Sequence, residues 1–136
     1  MTDFKHITDD FSVATQINLA DVARAKSDGF TAIVCNRPDG EDPGQLSSAD
    51  IAAAAMGAGL TFTHIPVRGA PGAAEVEAMR EAVEAAAGPV LAYCRSGTRS
   101  IVTWSLGQAM SGAFTRGELV GLALGAGYDL TGVLDT

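Results

Sequence analysis

The stretch LAYCRSGTRSIVTW, Leu91–Trp104, decides the fold. A short apolar run ends at Cys94, the chain then turns through a polar segment that contains glycine, and a helical pattern resumes near Ser100. This order predicts a buried strand, a tight loop and a helix, with the cysteine at the point where the strand ends. Functional loops of open α/β sheets lie at the carboxyl ends of the strands, so Cys94 is a candidate functional residue.

Outward from this stretch, strand patterns alternate with helix patterns along the chain. Apolar, β-branched runs predict strands, and alanine-rich segments bounded by capping residues and glycines predict helices. The predicted strands are Phe30–Cys35, Leu60–Val67 and Pro89–Cys94, with a short one within Lys5–Ile17; the predicted helices are Leu19–Asp28, residues 49–58, Ala73–Ala87, Ser100–Met110 and one that follows Thr115. The alternation indicates an α/β fold, a mainly parallel central sheet flanked by helices, in a single domain over residues 1–136.

The composition narrows the classes of partner. The net charge of -7 disfavours nucleic acid and anionic membrane surfaces, although a local cluster of amides and arginines still allows an anionic substrate. The sequence has no apolar window of membrane-spanning length and no secretory signal pattern at its start, so we expect a cytoplasmic protein without a membrane partner. The two cysteines and two histidines lack metal-ligand spacing, so we expect no metal and no cofactor. The oligomeric state stays open.

The neighbours of Cys94 favour a reactive thiolate. A helix that starts just after the cysteine points free amides and a partial positive charge at the loop, and Arg95 and Arg99 add full charges. Gly97 lets the loop curl so that successive N–H groups point inward. Ser100 can cap the helix and donate its hydroxyl to the thiolate. We therefore expect Cys94 to act as a nucleophile, assisted by Arg99 and Ser100.

The backbone between the two arginines is the predicted anion cradle. Its residues are Arg95, Ser96, Gly97 and Thr98.

The segment YCRSGTRS resembles the active loop of rhodanese-type sulfurtransferases and, more loosely, the phosphate loop of cysteine phosphatases. The segments ITDDFSVATQI, RPDGE, HIPV and AGYDL resemble the beta-lactamase-hydrolase-like protein, phosphatase-like domain family, over nearly the whole chain. This resemblance implies a single-domain fold like that of the cysteine (dual-specificity) phosphatases. Members of the family are labelled both as phosphatases and as sulfur transferases, so the resemblance leaves the chemistry open.

Two local features favour sulfur over phosphate. Four residues separate Cys94 from Arg99, one fewer than in cysteine phosphatases, and rhodanese-type loops have this shorter length. A phosphatase also needs a proton donor for the leaving group, which in that fold is usually an Asp shortly after a strand resembling HIPV. Here the segment is RGAPG, and Arg68 at its start suits an anionic donor instead. Asp39 or Glu41 could supply the acid instead, and so could His64, although none of them stands where the family pattern would place it.

Two further residues have open roles. Arg37, in the loop NRPDGE with Asp39, is a candidate for substrate binding, although Pro-Asp-Gly is also ordinary turn chemistry. Cys35 is either a resolving thiol for Cys94 or, as we favour, a small buried residue.

The sequence thus yields three hypotheses. The first is a cysteine-dependent sulfurtransferase that forms a Cys94 persulfide from a thiosulfate- or persulfide-type donor. The second is a cysteine phosphatase with a Cys94 phosphoenzyme and a phosphate ester as substrate. The third is a non-catalytic anion-binding or sulfur-sensing domain.

Overall fold

The computed structural model describes residues 1–134. The strands are β1 (Lys5–Thr8), β2 (Phe11–Ala14), β3 (Ala32–Cys35), β4 (Thr61–His64) and β5 (Val90–Tyr93); the helices are α1 (Leu19–Ser27), α2 (Ser48–Gly57), α3 (Ala73–Ala85), α4 (Thr98–Ser111), α5 (Arg116–Gly125) and α6 (Thr131–Leu134). The α/β fold predicted from the sequence is confirmed.

The strands form one sheet in the order β1-β2-β5-β3-β4. β1 is antiparallel to β2, and every other pair is parallel. The segment Lys5–Ile17 therefore holds a hairpin of two strands where the sequence predicts one. β5 is the central strand, so the loop that follows it and carries Cys94 lies at the middle of the sheet, at the carboxyl ends of the parallel strands.

Alternating side chains of the strands build a separate core on each face of the sheet. On β3, Val34 packs into the core shared with α3, α4 and α5, whereas Ile33 packs into the core shared with α1 and α2. Stacking of Phe11 on Trp104, with ring centroids 4.7 Å apart, links β2 to α4. Burial on both faces explains why β3 and β5 are short, continuous apolar runs.

The helices α1, α2 and α5 each begin at a polar capping residue. The side chains of Asn18, Ser47 and Thr115 each accept a hydrogen bond from an amide of the first turn. α4 differs, because its N-cap is Gly97 and Ser100 lies inside the first turn. The prediction that Ser100 caps α4 is therefore wrong. The left-handed glycine starts the helix before the serine is reached.

β4 ends at His64, before Pro66 and before the predicted end at Val67. Backbone pairing nevertheless continues on both sides of the proline. Ile65 N donates to the Cys35 carbonyl at 2.8 Å, and Val67 N donates to the Asn36 carbonyl at 3.0 Å. The segment after β4 is thus tied to the end of β3.

Within residues 1–134, no helix combines the length and the apolar character that crossing a bilayer requires.

Candidate active site

The candidate site lies at the carboxyl edge of the parallel strands, where three loops meet. The Cys94 loop follows β5, the loop from Asn36 follows β3, and the segment 65–72 follows β4. Because β5, β3 and β4 are neighbours in the sheet, their loops are brought together. The strand order thus places all three loops at one edge of the sheet.

Cys94 is fully buried at the base of its loop. The Gly97 amide donates to its sulfur at 3.1 Å. The amide of Gly97, the N-cap of α4, thus points at the sulfur. There it stabilises negative charge on a thiolate or on a group attached to the sulfur.

Gly97 is required by its backbone conformation and by its neighbours. Its φ is +91°, and a side chain there would overlap the Tyr128 hydroxyl and approach the Ala14 carbonyl. Tyr128 donates to the Ser96 carbonyl at 2.8 Å, and Lys5 donates to the Tyr128 oxygen at 3.2 Å. The C-terminal part of the chain therefore fixes the curvature of the Cys94 loop.

Arg99 makes a two-point ion pair with Glu41. Its two terminal nitrogens donate to the two carboxylate oxygens at 2.7 and 2.9 Å, and one of them also donates to the Val67 carbonyl at 3.0 Å. The hydrogen bonds with Glu41 raise the pKa of Arg99, and the nearby Cys94 adds to this effect. The guanidinium is thus a fixed positive charge beside the nucleophile.

Glu41 is held by two arginines. Hydrogen bonds from Arg99, and then from Arg37, lower the pKa of Glu41 to about 2. The Arg37 Nε donates to Glu41 at 3.0 Å. Glu41 is a carboxylate at neutral pH and cannot serve as the proton donor that a phosphatase needs.

Arg37 is buried, and its guanidinium is occupied by protein groups. Besides Glu41, it donates to Gln16 at 2.9 Å and to Asp42 at 2.7 Å. The expectation that Arg37 binds substrate is therefore corrected. Its guanidinium holds the loop after β3 in place through these hydrogen bonds. Arg95, which is mostly exposed, lies 3.6 Å from the same Asp42 carboxylate.

Asp39 likewise supports the fold. Its two oxygens accept hydrogen bonds from the amide and the hydroxyl of Ser48, both at 2.7 Å, at the start of α2. These bonds lower the pKa of Asp39. The geometry contradicts the expected role of Asp39 as a general acid, because a low-pKa carboxylate whose oxygens are both engaged is a poor proton donor.

The hydroxyl residues of the loop have different surroundings. Ser96 Oγ donates to Thr98 Oγ1 at 3.0 Å, and both residues lie on the open side of the loop. Ser100 is fully buried, and its hydroxyl has no hydrogen-bond partner among the described residues. The expected bond from Ser100 to Cys94 is thus not formed in this structure, and the hydroxyl is left with unused donor capacity.

Cys35 and His64 both bind the Arg37 carbonyl. The thiol donates to it at 3.4 Å, and His64 Nε2 lies 2.9 Å from it and must carry the proton, because a carbonyl only accepts. Burial raises the pKa of Cys35. Cys35 pairs in register with Tyr93 and packs in the same core, whereas Cys94 follows after the end of β5. This placement favours a buried structural thiol.

Arg68 lies exposed at the start of the segment after β4. Among residues 1–134 it has no ion-pair partner, so its charge is available to an incoming anion. No group of three or more His, Cys, Asp or Glu side chains in that part of the chain is arranged to hold a metal ion.

The sequence did not reveal the two residues that hold the loop and its arginine in place. Tyr128 lies in the segment AGYDL and Glu41 in the segment RPDGE, and both segments carry the family resemblance. The resemblance points to these segments but does not indicate that the two residues hold the loop and its arginine. Contacts across 32 and 58 residues of chain have no local pattern that would reveal them.

Comparisons with known proteins identify the family of this chain. The family model for the beta-lactamase hydrolase-like protein, phosphatase-like domain, matches residues 3–111. A beta-lactamase hydrolase-like protein of Agrobacterium fabrum strain C58 is 34% identical over 125 residues, which are 91% of this chain and 29% of the relative. The chain therefore spans less than a third of the length of that relative.

Solved structures extend the likeness to the fold. The NMA1982 protein of Neisseria meningitidis Z2491, described as a candidate phosphatase, is 32% identical with a TM-score of 0.85 over 97% of this chain and 94% of that one. TpbA of P. aeruginosa, solved as a cysteine-to-serine variant with pTyr, is 18% identical with a TM-score of 0.64 over 90% of this chain and 73% of that one, and shares the fold. On the family match and the close relatives, this chain belongs to the beta-lactamase hydrolase-like, phosphatase-like domain family.

Proposed function

We propose that Cys94 is the nucleophile of a group transfer from a small anionic substrate, and that the transferred group is a sulfane sulfur. The observation that carries this proposal is the state of the carboxylates near the loop. Asp39 is bound by Ser48, and Glu41 is ionised between two arginines. Neither is suited to protonate a leaving alkoxide, and a sulfane-sulfur donor does not require such a proton.

The reaction follows from thiolate chemistry. The Cys94 thiolate attacks the outer sulfur of thiosulfate, the sulfur–sulfur bond of the donor breaks, and its electron pair leaves with sulfite. A Cys94 persulfide results. An acceptor thiolate or cyanide then attacks the outer sulfur of the persulfide, and the electron pair of the broken bond returns to Cys94 as thiolate.

The loop supports an anionic persulfide. The Gly97 amide donates to the Cys94 sulfur, and the fixed charge of Arg99 lies close by. The loop is one residue shorter than that of cysteine phosphatases, which favours a single sulfur atom over a tetrahedral phosphoryl group. Arg95 and Arg68 are exposed charges that suit the approach of an anionic donor.

Phosphoryl transfer is the second candidate, and the comparisons favour it. The family is described as phosphatase-like, NMA1982 is a candidate phosphatase, and TpbA binds pTyr. In this reaction Cys94 attacks phosphorus, the ester P–O bond breaks with its electron pair on the leaving oxygen, and Arg99 holds the phosphoryl oxygens. Because Asp39 and Glu41 are engaged by other groups, we expect such activity to be confined to esters of acidic alcohols such as phenols.

One paired assay tests these proposals. Wild type and Cys94→Ser are given thiosulfate with cyanide and, separately, an aryl phosphate, and the intact protein is weighed after each donor. We expect thiocyanate and a Cys94 adduct of one sulfur atom in the wild type only. Phosphate release without a sulfur adduct would replace the first candidate by the second. If wild type and Cys94→Ser bind anions equally and neither turns over, the domain is an anion-binding or sulfur-sensing module.

A further inference from the structure

An apolar groove of about 220 Å³ begins at the Cys94 loop and runs along α4. One wall is a single face of the helix, because Val102 and Leu106 follow Thr98 at spacings of four residues. Thr98 and Arg99 belong both to the groove and to the loop. The groove thus reaches the N-terminal end of α4, next to the loop where the anion is expected.

The opposite wall comes from two other parts of the chain. The segment 69–71, with Ala70 and Pro71, follows β4, and Val133 lies on α6. Val133 is 42% exposed and Leu106 is partly buried, so both can contact a ligand. Apart from Arg99 and the hydroxyl of Thr98, the lining side chains are apolar.

We propose that this groove binds the apolar, ring-sized part of an anionic substrate whose charged head lies in the Cys94 loop. This inference rests on the proposed function and names its substrate class: an aryl or similarly apolar thiosulfonate, preferred to bare thiosulfate. The volume fits one ring, since an apolar cavity of about 150 Å³ engineered in another protein binds benzene. The fixed charge of Arg99 at one end and the apolar walls beyond it match a ligand with an anionic head and an apolar body.

The chemical step keeps the same balance. The Cys94 thiolate attacks the outer sulfur of the thiosulfonate, the sulfur–sulfur bond breaks, and its electron pair leaves with the arylsulfinate. Cys94 becomes a persulfide as before. The sulfinate is a stable anion, so the step requires no acid on the segment after β4.

Binding is tested without turnover in the Cys94→Ser protein. Benzenesulfonate and methanesulfonate carry the same charged head, and their dissociation constants are measured by calorimetry. Burial of a ring predicts that benzenesulfonate binds about tenfold more tightly or better. Adding Leu106→Asn or Val133→Asn should bring the ratio of the two constants towards one. Leu124→Asn, on the exposed face of α5, is the matched control and should leave the ratio unchanged.

The outcomes separate the groove from the function. Equal affinity for the two sulfonates, or a ratio that survives both groove variants, would overturn the groove. The groove proposal would also be overturned if sedimentation showed that wild type is a dimer and Leu106→Asn a monomer, because a second copy of the chain would then occupy the groove. If wild type forms a persulfide from thiosulfate while the ratio of the two dissociation constants in Cys94→Ser is near one, the proposed function is supported and the groove is not. A ratio of about tenfold in the Cys94→Ser protein that falls towards one in the groove variants, with no persulfide from thiosulfate or benzenethiosulfonate in the wild type, removes the function and supports the groove.

Discussion

Glu41 and Arg99 lie 58 residues apart in the chain, and their side chains pair through two hydrogen bonds of 2.7 and 2.9 Å. The pair joins the loop after β3 to the first turn of α4. Arg37, behind it, holds the same carboxylate. The arginine nearest the nucleophile therefore depends on a residue outside the Cys94 loop for its orientation.

Glu41→Gln is expected to lower catalytic efficiency about tenfold or more. The amide removes one charge and one of the two acceptors, so Arg99 loses its fixed position, while the Cys94 loop itself is unchanged. The measurement is kcat/KM for sulfur transfer, with Glu84→Gln, an exposed pair on α3, as the matched control. Equal efficiency in wild type and Glu41→Gln would show that Arg99 keeps its orientation without the carboxylate.

The same residue predicts a pH dependence of folding. The pKa of Glu41 is about 2 in the folded protein and 4.5 ordinarily, so its ion pairs stabilise the fold fully above pH 4.5. This contribution is lost as the pH falls from 4.5 towards 2. Urea unfolding of wild type and Glu41→Gln from neutral pH down to about pH 3 should show two free-energy curves that converge on the acid side of the ordinary glutamate pKa. Parallel curves would contradict the assignment.

Gly97→Ala is expected to destabilise the protein by about 2 kcal/mol or more and to abolish turnover. A left-handed backbone disfavours a side chain by roughly 1–2 kcal/mol, and here the added carbon also meets Tyr128. Gly121→Ala is the control, since that helical glycine has open space around it and should be neutral or slightly stabilising. Thermal unfolding and the sulfur adduct are measured together. A fully active Gly97→Ala protein would disprove the account of the loop.

Cys35→Ala should retain sulfur transfer within about twofold, with a modest loss of stability, on the order of 1 kcal/mol, from the small cavity. The thiol is buried in the core shared with α1 and α2 and donates to the Arg37 carbonyl, so its hydrogen is already engaged by the protein. The measurement is turnover beside that of Cys94→Ser. A Cys35–Cys94 disulfide in oxidised protein, found by peptide mass mapping, would restore the resolving role.

Asp39→Asn should lower the free energy of unfolding by about 1 kcal/mol, because α2 loses a charged partner at its first turn. Its pH–rate profile should match that of wild type, since the carboxylate supports the loop and exchanges no proton with substrate. If the acid limb of the profile disappears in Asp39→Asn, Asp39 is the general acid and the geometry has been misinterpreted.

The sequence predicted the strands and the position of Cys94 well, because both depend on local patterns. Buried parallel strands such as β3 and β5 are continuous apolar runs, and the break after Cys94 is marked by polar residues and Gly97. Helix caps such as Asn18 are equally local.

The roles of charged residues were less predictable. Arg37 and Asp39 stand two residues apart in a turn-forming segment, and nothing in that segment says whether they face a substrate or the protein. Their partners, Gln16 and Ser48, come from other elements. The sequence therefore indicates that Arg37 and Asp39 lie near the candidate site. Which groups they bind can be seen only in the folded structure.

The bond from Tyr128 to the Ser96 carbonyl has a consequence for how this protein acquires its reactivity. Tyr128 lies beyond residue 111, where the family match ends, yet it fixes the curvature that brings the Gly97 amide onto the Cys94 sulfur. We therefore expect the cysteine loop and the region after α5 to order together. On this account the thiol gains its cradle only when the region after α5 has docked, and loosening that region should lower the reactivity of Cys94.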